Sequence, residues 1–191
     1  MREILRVISG TAKGHKLKTV DSVKTRPTSD RVKESIFNII FSLVPDAYVL
    51  DLFAGTGNLG IEALSRGAKE CVFIDKSGEC SSIIKQNLQH TRLEEQGQVI
   101  QKEVAKAIKV LPKDRRFDII FMDPPYNKNF IPETLKLIVD NDIINKNGII
   151  VAEYDIDDNA PEQVDALKAM RICRYGDTVV SFYSIAEEVV D

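Results

Sequence analysis

The chain has 191 residues, of which 43% are apolar, and its formal net charge is −3. This length suits one domain with a small appendage, and the apolar fraction is sufficient for a hydrophobic core. The three cysteines form no Cys-x-x-Cys pair, which predicts reduced thiols in a cytoplasmic protein and argues against a disulfide framework. No apolar stretch reaches the length of a membrane span, and the first residues lack the apolar segment of a signal peptide.

Charge is distributed unevenly along the chain. The first 35 residues contain nine Lys or Arg and four acids, which gives +5, whereas the remainder contains 17 basic and 25 acidic residues, which gives −8. A basic N-terminal segment on an acidic body is typical of a protein that binds a polyanion. A solvated, flexible arm would have the same composition, so both interpretations stand at this point.

The apolar pattern predicts a small N-terminal β-hairpin, with Lys13, His15 and Lys16 at its tip. Thr28 or Ser29 is predicted to cap a helix over residues 31–43, which ends before Pro45. Alternating strands and helices follow. The predicted strands lie at 48–53, 70–75, 98–101, 117–122 and 148–153, and the predicted helices at 61–66, 78–90, 104–111 and 132–139.

The last part of the chain predicts an antiparallel pair of strands at 170–174 and 178–184, joined by a tight turn. Alternation of strands and helices from 48 to 153 predicts a parallel sheet with helices on both faces. We therefore predict an α/β, Rossmann-like sandwich with a mostly parallel seven-stranded sheet. The N-terminal hairpin extension would occupy residues 1–24 and the main domain residues 25–191.

A glycine-rich loop lies between the first predicted strand and the helix that follows. Gly55, Gly57 and Gly60 match G-x-G-x-x-G, in which glycines let the backbone approach a ligand and the helix N-terminus supplies N–H groups. Asp75 ends the next strand, where a carboxylate can bind a ribose diol. The pattern fits a nicotinamide dinucleotide as well as other adenosine cofactors. Asp51 favours a ligand with an ammonium group, because a buried acid would repel a pyrophosphate.

The sequence Asp123-Pro124-Pro125-Tyr126 follows the predicted apolar strand 117–122. Pro125 disfavours a helical conformation for Pro124, so the Pro124 carbonyl has a defined direction beside the Asp123 carboxylate. Two acceptors side by side suit an amino group with two N–H donors, and Tyr126 offers a flat face on which a base can stack. The structural alternative is a proline-rich turn with an N-capping Asp.

These two motifs carry a family resemblance. The run from Asp51 to Gly57 resembles the cofactor motif of class I S-adenosylmethionine-dependent methyltransferases, and the run from Asp123 to Tyr126 resembles their amino-methylating motif. The resemblance implies the class I methyltransferase sandwich and S-adenosylmethionine as the cofactor, with no metal.

A narrower resemblance is to the RsmD family, and it is carried by residues 6–10, 25–38 and 51–68. Members of that family methylate the exocyclic 2-amino group of a guanine in the 16S ribosomal RNA of the bacterial small subunit. The resemblance implies the same activity here, on naked RNA or on an assembling 30S subunit, and a monomer is the favoured state.

Carried onto this chain, the resemblance implies a set of site residues. The implied catalytic residues are Asp123, Pro124 and Tyr126. The implied cofactor-binding residues are Asp51, Phe53, Gly55, Gly57, Asp75 and Glu103, and Glu103 would meet the adenine edge, although the family more often has Asp-Ala near there. The implied RNA-binding residues are Lys13, Lys16, Arg26 and Arg31.

Three other functions remain open at the level of sequence. A DNA adenine amino-methyltransferase shares the catalytic tetrapeptide, although a chain of 191 residues shows no separate target-recognition domain. A dinucleotide-dependent oxidoreductase shares the glycine loop, and a non-catalytic RNA-binding protein could retain the same fold.

Overall fold

The structure is a computed structural model that describes residues 5–20, 28–112, 114–125 and 130–186. Its helices are α1 (Asp30–Ile39), α2 (Asn58–Ser65), α3 (Gly78–Thr91), α4 (Val104–Ile108) and α5 (Phe130–Asp140). Its strands are β1 (Tyr48–Leu52), β2 (Glu70–Asp75), β3 (Gly97–Gln101), β4 (Phe117–Met122), β5 (Ile144–Asp155), β6 (Gln163–Val164), β7 (Leu167–Tyr175) and β8 (Thr178–Ile185). Short 3₁₀ turns occupy Phe41–Leu43 and Glu94–Gln96.

The strands form one sheet in the order β3-β2-β1-β4-β5-β8-β7-β6. The first five strands in that order are parallel, and the last three join them antiparallel. The predicted α/β architecture and the antiparallel closing pair are therefore confirmed. The sheet has eight strands and not the predicted seven, because the two-residue strand β6 pairs with β7 at the sheet edge. So short a strand has no recognisable apolar alternation.

Both faces of the parallel part of the sheet are buried, which explains its nearly continuous apolar strands. Alternate residues of each strand point to opposite faces. Val49, Phe73 and Phe121 belong to the core that contains residues of α1, α2 and α3. Leu50 and Ile120 belong to the core that contains residues of α4 and α5. The chain leaves β1 toward β2 and β3 and then crosses back to β4, so a topological switch point opens between the carboxyl ends of β1 and β4.

Helix α1 begins as the sequence predicted and ends earlier than predicted. The Ser29 side chain accepts a hydrogen bond from the Val32 backbone N–H and caps the helix. The helix ends at Ile39, and the 3₁₀ turn Phe41–Leu43 completes the predicted range before Pro45. Thr28, the other candidate cap, bonds elsewhere and enters the site described below.

Residues 5–20, called here the N-terminal segment, follow the path of the predicted hairpin. A single antiparallel bridge joins Arg6 to Lys16, and regular strands do not form. Backbone hydrogen bonds join its two arms, from the Val7 N–H to the His15 carbonyl (2.9 Å) and from the Leu17 N–H to the Leu5 carbonyl (2.8 Å). Other backbone groups of the segment bond side chains of α2. The Glu62 carboxylate accepts from the N–H groups of Ile8 (2.9 Å) and Ser9 (3.0 Å). The predicted boundary between residues 24 and 25 lies outside the described residues and stays a prediction.

A buried ion pair supports this attachment. Lys33 of α1 and Glu62 of α2 have fully buried side chains, with Nζ and Oε2 3.2 Å apart. Lys33 Nζ also donates to the Arg6 carbonyl (2.5 Å) and to Asn58 Oδ1 (2.8 Å). Burial lowers the pKa of Lys33, and the Glu62 carboxylate opposes that effect. One network thus joins the N-terminal segment to α1 and to the start of α2.

Among the described helices, none combines the length and apolarity that crossing a membrane would require.

Candidate active site

A cavity of about 500 Å³ lies at the carboxyl ends of β1, β2 and β4. This is the position in which an open α/β sheet binds ligands. Seven of the residues predicted from sequence line it, namely Asp51, Phe53, Gly55, Asp75, Glu103, Asp123 and Pro124. Gly57 is buried within the same loop. Tyr126 lies outside the described residues, so its stacking role stays a prediction.

The glycine loop takes a tight path between β1 and α2. Gly57 precedes α2 in a left-handed conformation (φ 79°), and its N–H donates to the Ala54 carbonyl (2.7 Å). Phe53 is also left-handed (φ 59°), which is uncommon for a residue other than glycine and marks local strain. A side chain at Gly60 would come within 2.3 Å of the Phe73 ring, so α2 packs against β2 only with glycine there.

Two carboxylates hold this loop in place. Asp51 Oδ2 accepts from the Gly60 N–H (2.9 Å), and Asp75 Oδ2 accepts from the Gly55 N–H (2.9 Å). Asp75 Oδ1 accepts from the Ser77 N–H (2.8 Å). An ionised carboxylate has about four acceptor positions, so Asp75 retains capacity for the hydroxyls of a ribose.

Asp51 is the strongest electrostatic feature of the loop. Only 3% of its surface is exposed, and burial raises its pKa to about 8, opposed by the hydrogen bond from Gly60 and reinforced by Asp75. A cation that entered the cavity would favour the ionised form of Asp51. The site therefore suits a ligand with a positively charged end, as the sequence predicted.

Asp51, Asp123 and Glu153 point to the same face of the sheet. Asp51 is aligned with Phe121, and Phe121 with Val151. Glu153 lies two residues after Val151 in β5, and Asp123 lies two residues after Phe121, directly after the end of β4. Side chains two residues apart in extended backbone share a face. Asp123 is half-buried; its pKa is well above the usual range, first because of burial and then because of the Glu153 and Asp51 carboxylates.

Glu153 was not among the residues predicted from sequence. It is 2% exposed, and its Oε2 accepts a hydrogen bond from Thr28 Oγ1 (2.7 Å), which lines the cavity. The sequence contained one signal for it, an acid at the end of the predicted apolar strand 148–153. Its closeness to Asp123 depends on the pairing of β4 with β5.

Glu103 lies at the cavity rim, in the N-cap position of α4. It is exposed and forms an ion pair with Lys106 (2.8 Å), which lowers the pKa of the Glu103 carboxyl. This location at the end of β3 is consistent with the predicted contact to an adenine edge, which stays a prediction.

The predicted cationic residues do not converge on the cavity. Arg31 is exposed in the first turn of α1, close in sequence to the cavity residue Thr28. Lys13 and Lys16 are exposed on the N-terminal segment, and neither lines the cavity. Arg26 lies outside the described residues.

The N-terminal segment contributes to the cavity in a way the sequence did not indicate. Leu5, Thr19 and Val20 line it. The buried Asn87 side chain of α3 accepts from the Lys18 N–H (2.8 Å) and donates to the carbonyls of Lys18 (3.1 Å) and Thr56 (3.0 Å). Asn87 thus joins the segment to the glycine loop.

The cavity fits an adenosine-containing ligand with a cationic end. The glycine loop can approach such a ligand closely, Asp75 can accept from a ribose, and Asp51 lies where positive charge would be favourable. A dinucleotide fits less well, because its pyrophosphate would face the Asp51 carboxylate.

Solved structures share this fold along nearly the whole chain. The chain is similar to yhhF of Escherichia coli, named as a methyltransferase, with a TM-score of 0.84 and 30% identity, covering 95% of this chain and 98% of that one. It is also similar to the methylase HI0767 of Haemophilus influenzae, with a TM-score of 0.81, 30% identity and coverage of 96% and 99%. Sheet order, glycine loop and acidic turn together define a class I methyltransferase.

The sequence comparisons narrow this class to a family. Residues 5–184 match the family model described as "Conserved hypothetical protein 95", and the chain belongs to that family, the RsmD family. YlbH of Bacillus subtilis is 42% identical over 94% of this chain and 98% of the relative. Ribosomal RNA small subunit methyltransferase D of Haemophilus influenzae is 36% identical, over 80% of each chain. Its Escherichia coli counterpart is 34% identical, over 82% of this chain and 78% of the relative.

Proposed function

We propose that the protein transfers a methyl group from S-adenosylmethionine to the exocyclic 2-amino group of a guanine in small-subunit ribosomal RNA. The observation that carries this proposal is the Asp123–Pro124 turn at the cavity, on the same side of the sheet as Asp51 and the glycine loop. The names of the relatives support ribosomal RNA as the substrate. The guanine amine is the finer part of the proposal and rests on the family resemblance.

Two acceptors of the turn would orient the amine. The Asp123 carboxylate and the Pro124 carbonyl each accept one N–H, which directs the nitrogen lone pair toward the methyl group. Asp123 also places a negative charge where positive charge grows on the nitrogen. Preorganised groups of this kind contribute about 3–4 kcal/mol to transition-state stabilisation.

The transfer forms a nitrogen–carbon bond and breaks the sulfur–carbon bond of the cofactor, whose sulfonium supplies an activated methyl group. The methylated amine then loses one proton. Asp123 is the adjacent acceptor for that proton, and its raised pKa makes it a better base than an exposed carboxylate. No covalent intermediate with the protein is needed.

The test is the pair Asp123→Ala and Asp123→Asn. We expect methyl transfer to fall by roughly 100- to 1,000-fold in both, because each removes the charge at the developing cation. Binding of S-adenosylhomocysteine, measured by calorimetry, should change little. Asp46→Asn is a matched control, since Asp46 is exposed and its left-handed backbone (φ 60°) tolerates asparagine.

The product identifies the substrate. Small-subunit ribosomal RNA and duplex DNA are incubated in parallel with labelled cofactor and digested to nucleosides. We expect label in N2-methylguanosine from RNA. Label in N6-methyladenosine from DNA, or near-normal turnover by Asp123→Ala, would reject the proposal.

A further inference from the structure

The N-terminal segment lies lengthwise along the C-terminal half of α3. Lys18 Nζ donates to Gln86 Oε1 (2.7 Å), and the Lys18 backbone is held on both sides by Asn87. One turn further, the rings of His15 and His90 meet edge to face with centroids 5.2 Å apart. This part of the segment is therefore a fixed surface and not a flexible arm.

Cations from both elements line this surface. Lys13, Lys16 and Lys18 are exposed on the N-terminal segment, and Arg92 is exposed at the C-cap of α3, where it lines a small hollow together with His15. We call these four cations, with His15 and His90, the basic strip. The acidic residues Glu94 and Glu95 follow Arg92 in the sequence, so the basic strip ends at Arg92. Among the residues that the structure describes, no acid forms an ion pair with any of these four cations.

The strip is continuous with the active-site cavity. Thr19 and Val20, which directly follow Lys18, line the cavity. Helix α3 also begins at the cavity, because its N-cap residue Ser77 lines it. From there to the C-cap at Arg92, α3 is 14 residues long. At 1.5 Å per residue, the helix spans about 20 Å. A polyanion on the strip would thus reach from the cavity mouth to a point about one helix length away.

We propose that the basic strip binds the sugar–phosphate backbone of the substrate RNA, so that the substrate is a folded RNA which contacts the protein at the cavity and at the end of α3. This inference rests on the proposed function, and it adds His15, Lys18, His90 and Arg92 to the RNA surface. Lysine and arginine without acidic partners bind phosphates through charge, largely independent of base sequence. Because the strip is already ordered, binding loses little conformational entropy there.

The test compares two double variants with equal loss of charge. Lys18→Gln/Arg92→Gln removes one cation of the strip from each element and keeps the Lys18 backbone, which Asn87 holds. Lys109→Gln/Lys168→Gln removes two exposed cations of α4's C-cap and β7, outside the strip. Affinity for protein-free small-subunit ribosomal RNA is measured at several KCl concentrations, and affinity for S-adenosylhomocysteine by calorimetry. Thermal melting checks that both variants are folded.

We expect the strip variant to bind the RNA about tenfold more weakly at low salt, with the slope of log affinity against log salt reduced by about 1 to 2. Cofactor affinity should match the wild type, because none of the substituted residues lines the cavity. The control pair should differ little from the wild type in every measurement.

Equal RNA binding and equal salt slopes for the two double variants would overturn this inference, provided that the wild type methylates the RNA. If the wild type methylates only the intact small subunit, the same comparison is made on that subunit, and equal affinities of the two double variants for it would overturn the inference. A wild type that neither binds nor methylates small-subunit ribosomal RNA, protein-free or within the small subunit, would reject the proposed function itself, and this inference with it.

Discussion

At the scale of single residues, the most consequential group is the buried Asp51. Its pKa is about 8 in the folded protein, whereas an aspartate in an unfolded chain ionises near about 3.9. Between these two pH values, the unfolded state has released a proton that the folded state keeps. The contribution of Asp51 to stability therefore decreases as pH rises through this window. A cationic ligand would relieve this effect, so the same residue lowers stability and promotes binding.

Asp51→Asn should separate these two effects. The amide oxygen can still accept from the Gly60 N–H, so the loop geometry is retained. We expect the ligand-free variant to melt at a higher temperature than the wild type, with a gap that widens from pH 5 to pH 8. Its affinity for S-adenosylmethionine should fall. Asp46→Asn, at an exposed aspartate, is the control. If the difference in melting temperature between Asp51→Asn and the wild type did not change with pH, the raised pKa of Asp51 would be contradicted.

Glu153 acts on the reaction through Asp123. Since the Glu153 carboxylate contributes to the raised pKa of Asp123, its neutralisation should let Asp123 ionise at lower pH. Glu153→Gln keeps an acceptor for the Thr28 hydroxyl. We expect the acid limb of the rate–pH profile to move to lower pH in this variant. Glu133→Gln, which also lines the cavity, is the control and should leave the limb in place.

At the scale of elements, α3 connects the cofactor loop with the N-terminal segment. Among the described hydrogen bonds, Asn87 is the only residue of α3 that bonds both parts. Its side chain bonds Lys18 of the N-terminal segment and Thr56 of the glycine loop. Removal of a buried hydrogen-bonding partner leaves backbone groups without partners, at a cost of about 1–3 kcal/mol. The cavity wall formed by Thr19 and Val20 depends on this attachment.

Asn87→Ala should therefore weaken cofactor binding although Asn87 does not line the cavity. We expect the dissociation constant for S-adenosylhomocysteine to rise roughly tenfold. Gln86→Ala is the matched control, because it removes only the exposed contact to Lys18 Nζ. Equal affinities of the two variants would show that the attachment does not support the cavity.

At the scale of the whole molecule, the Lys33–Glu62 pair joins three parts of the chain. Lys33 bonds the N-terminal segment and Asn58, and Glu62 also pairs with Arg66 (2.8 Å). A buried ion pair is weak evidence for net stability, but the loss of one partner leaves a charge in an apolar surrounding. The pair therefore fixes how the N-terminal segment sits on the fold.

Lys33→Met should destabilise the protein by about 3 kcal/mol in urea unfolding. The double variant Lys33→Met/Glu62→Gln should lose less than the sum of the two single variants, because the residues interact directly. Strict additivity would contradict the coupling.

The sequence by itself determined the order of strands and helices, the glycine loop and the acidic turn. These features are local, since apolar periodicity and glycine or proline positions report the backbone of neighbouring residues. The ranges of β2 and β4 matched the prediction, while β6 was missed and α1 was shorter than predicted.

The tertiary structure alone decided which polar groups meet. Thr28 and Glu153 are 125 residues apart in sequence, and Lys18 and Asn87 are 69 apart. Such pairs arise from strand order and helix packing, which no local pattern encodes. The chain therefore specified the chemistry of Asp51 and Asp123 on its own. The carboxylate beside Asp123, the cavity wall from the N-terminal segment and the basic strip along α3 exist only because the fold brings distant residues together.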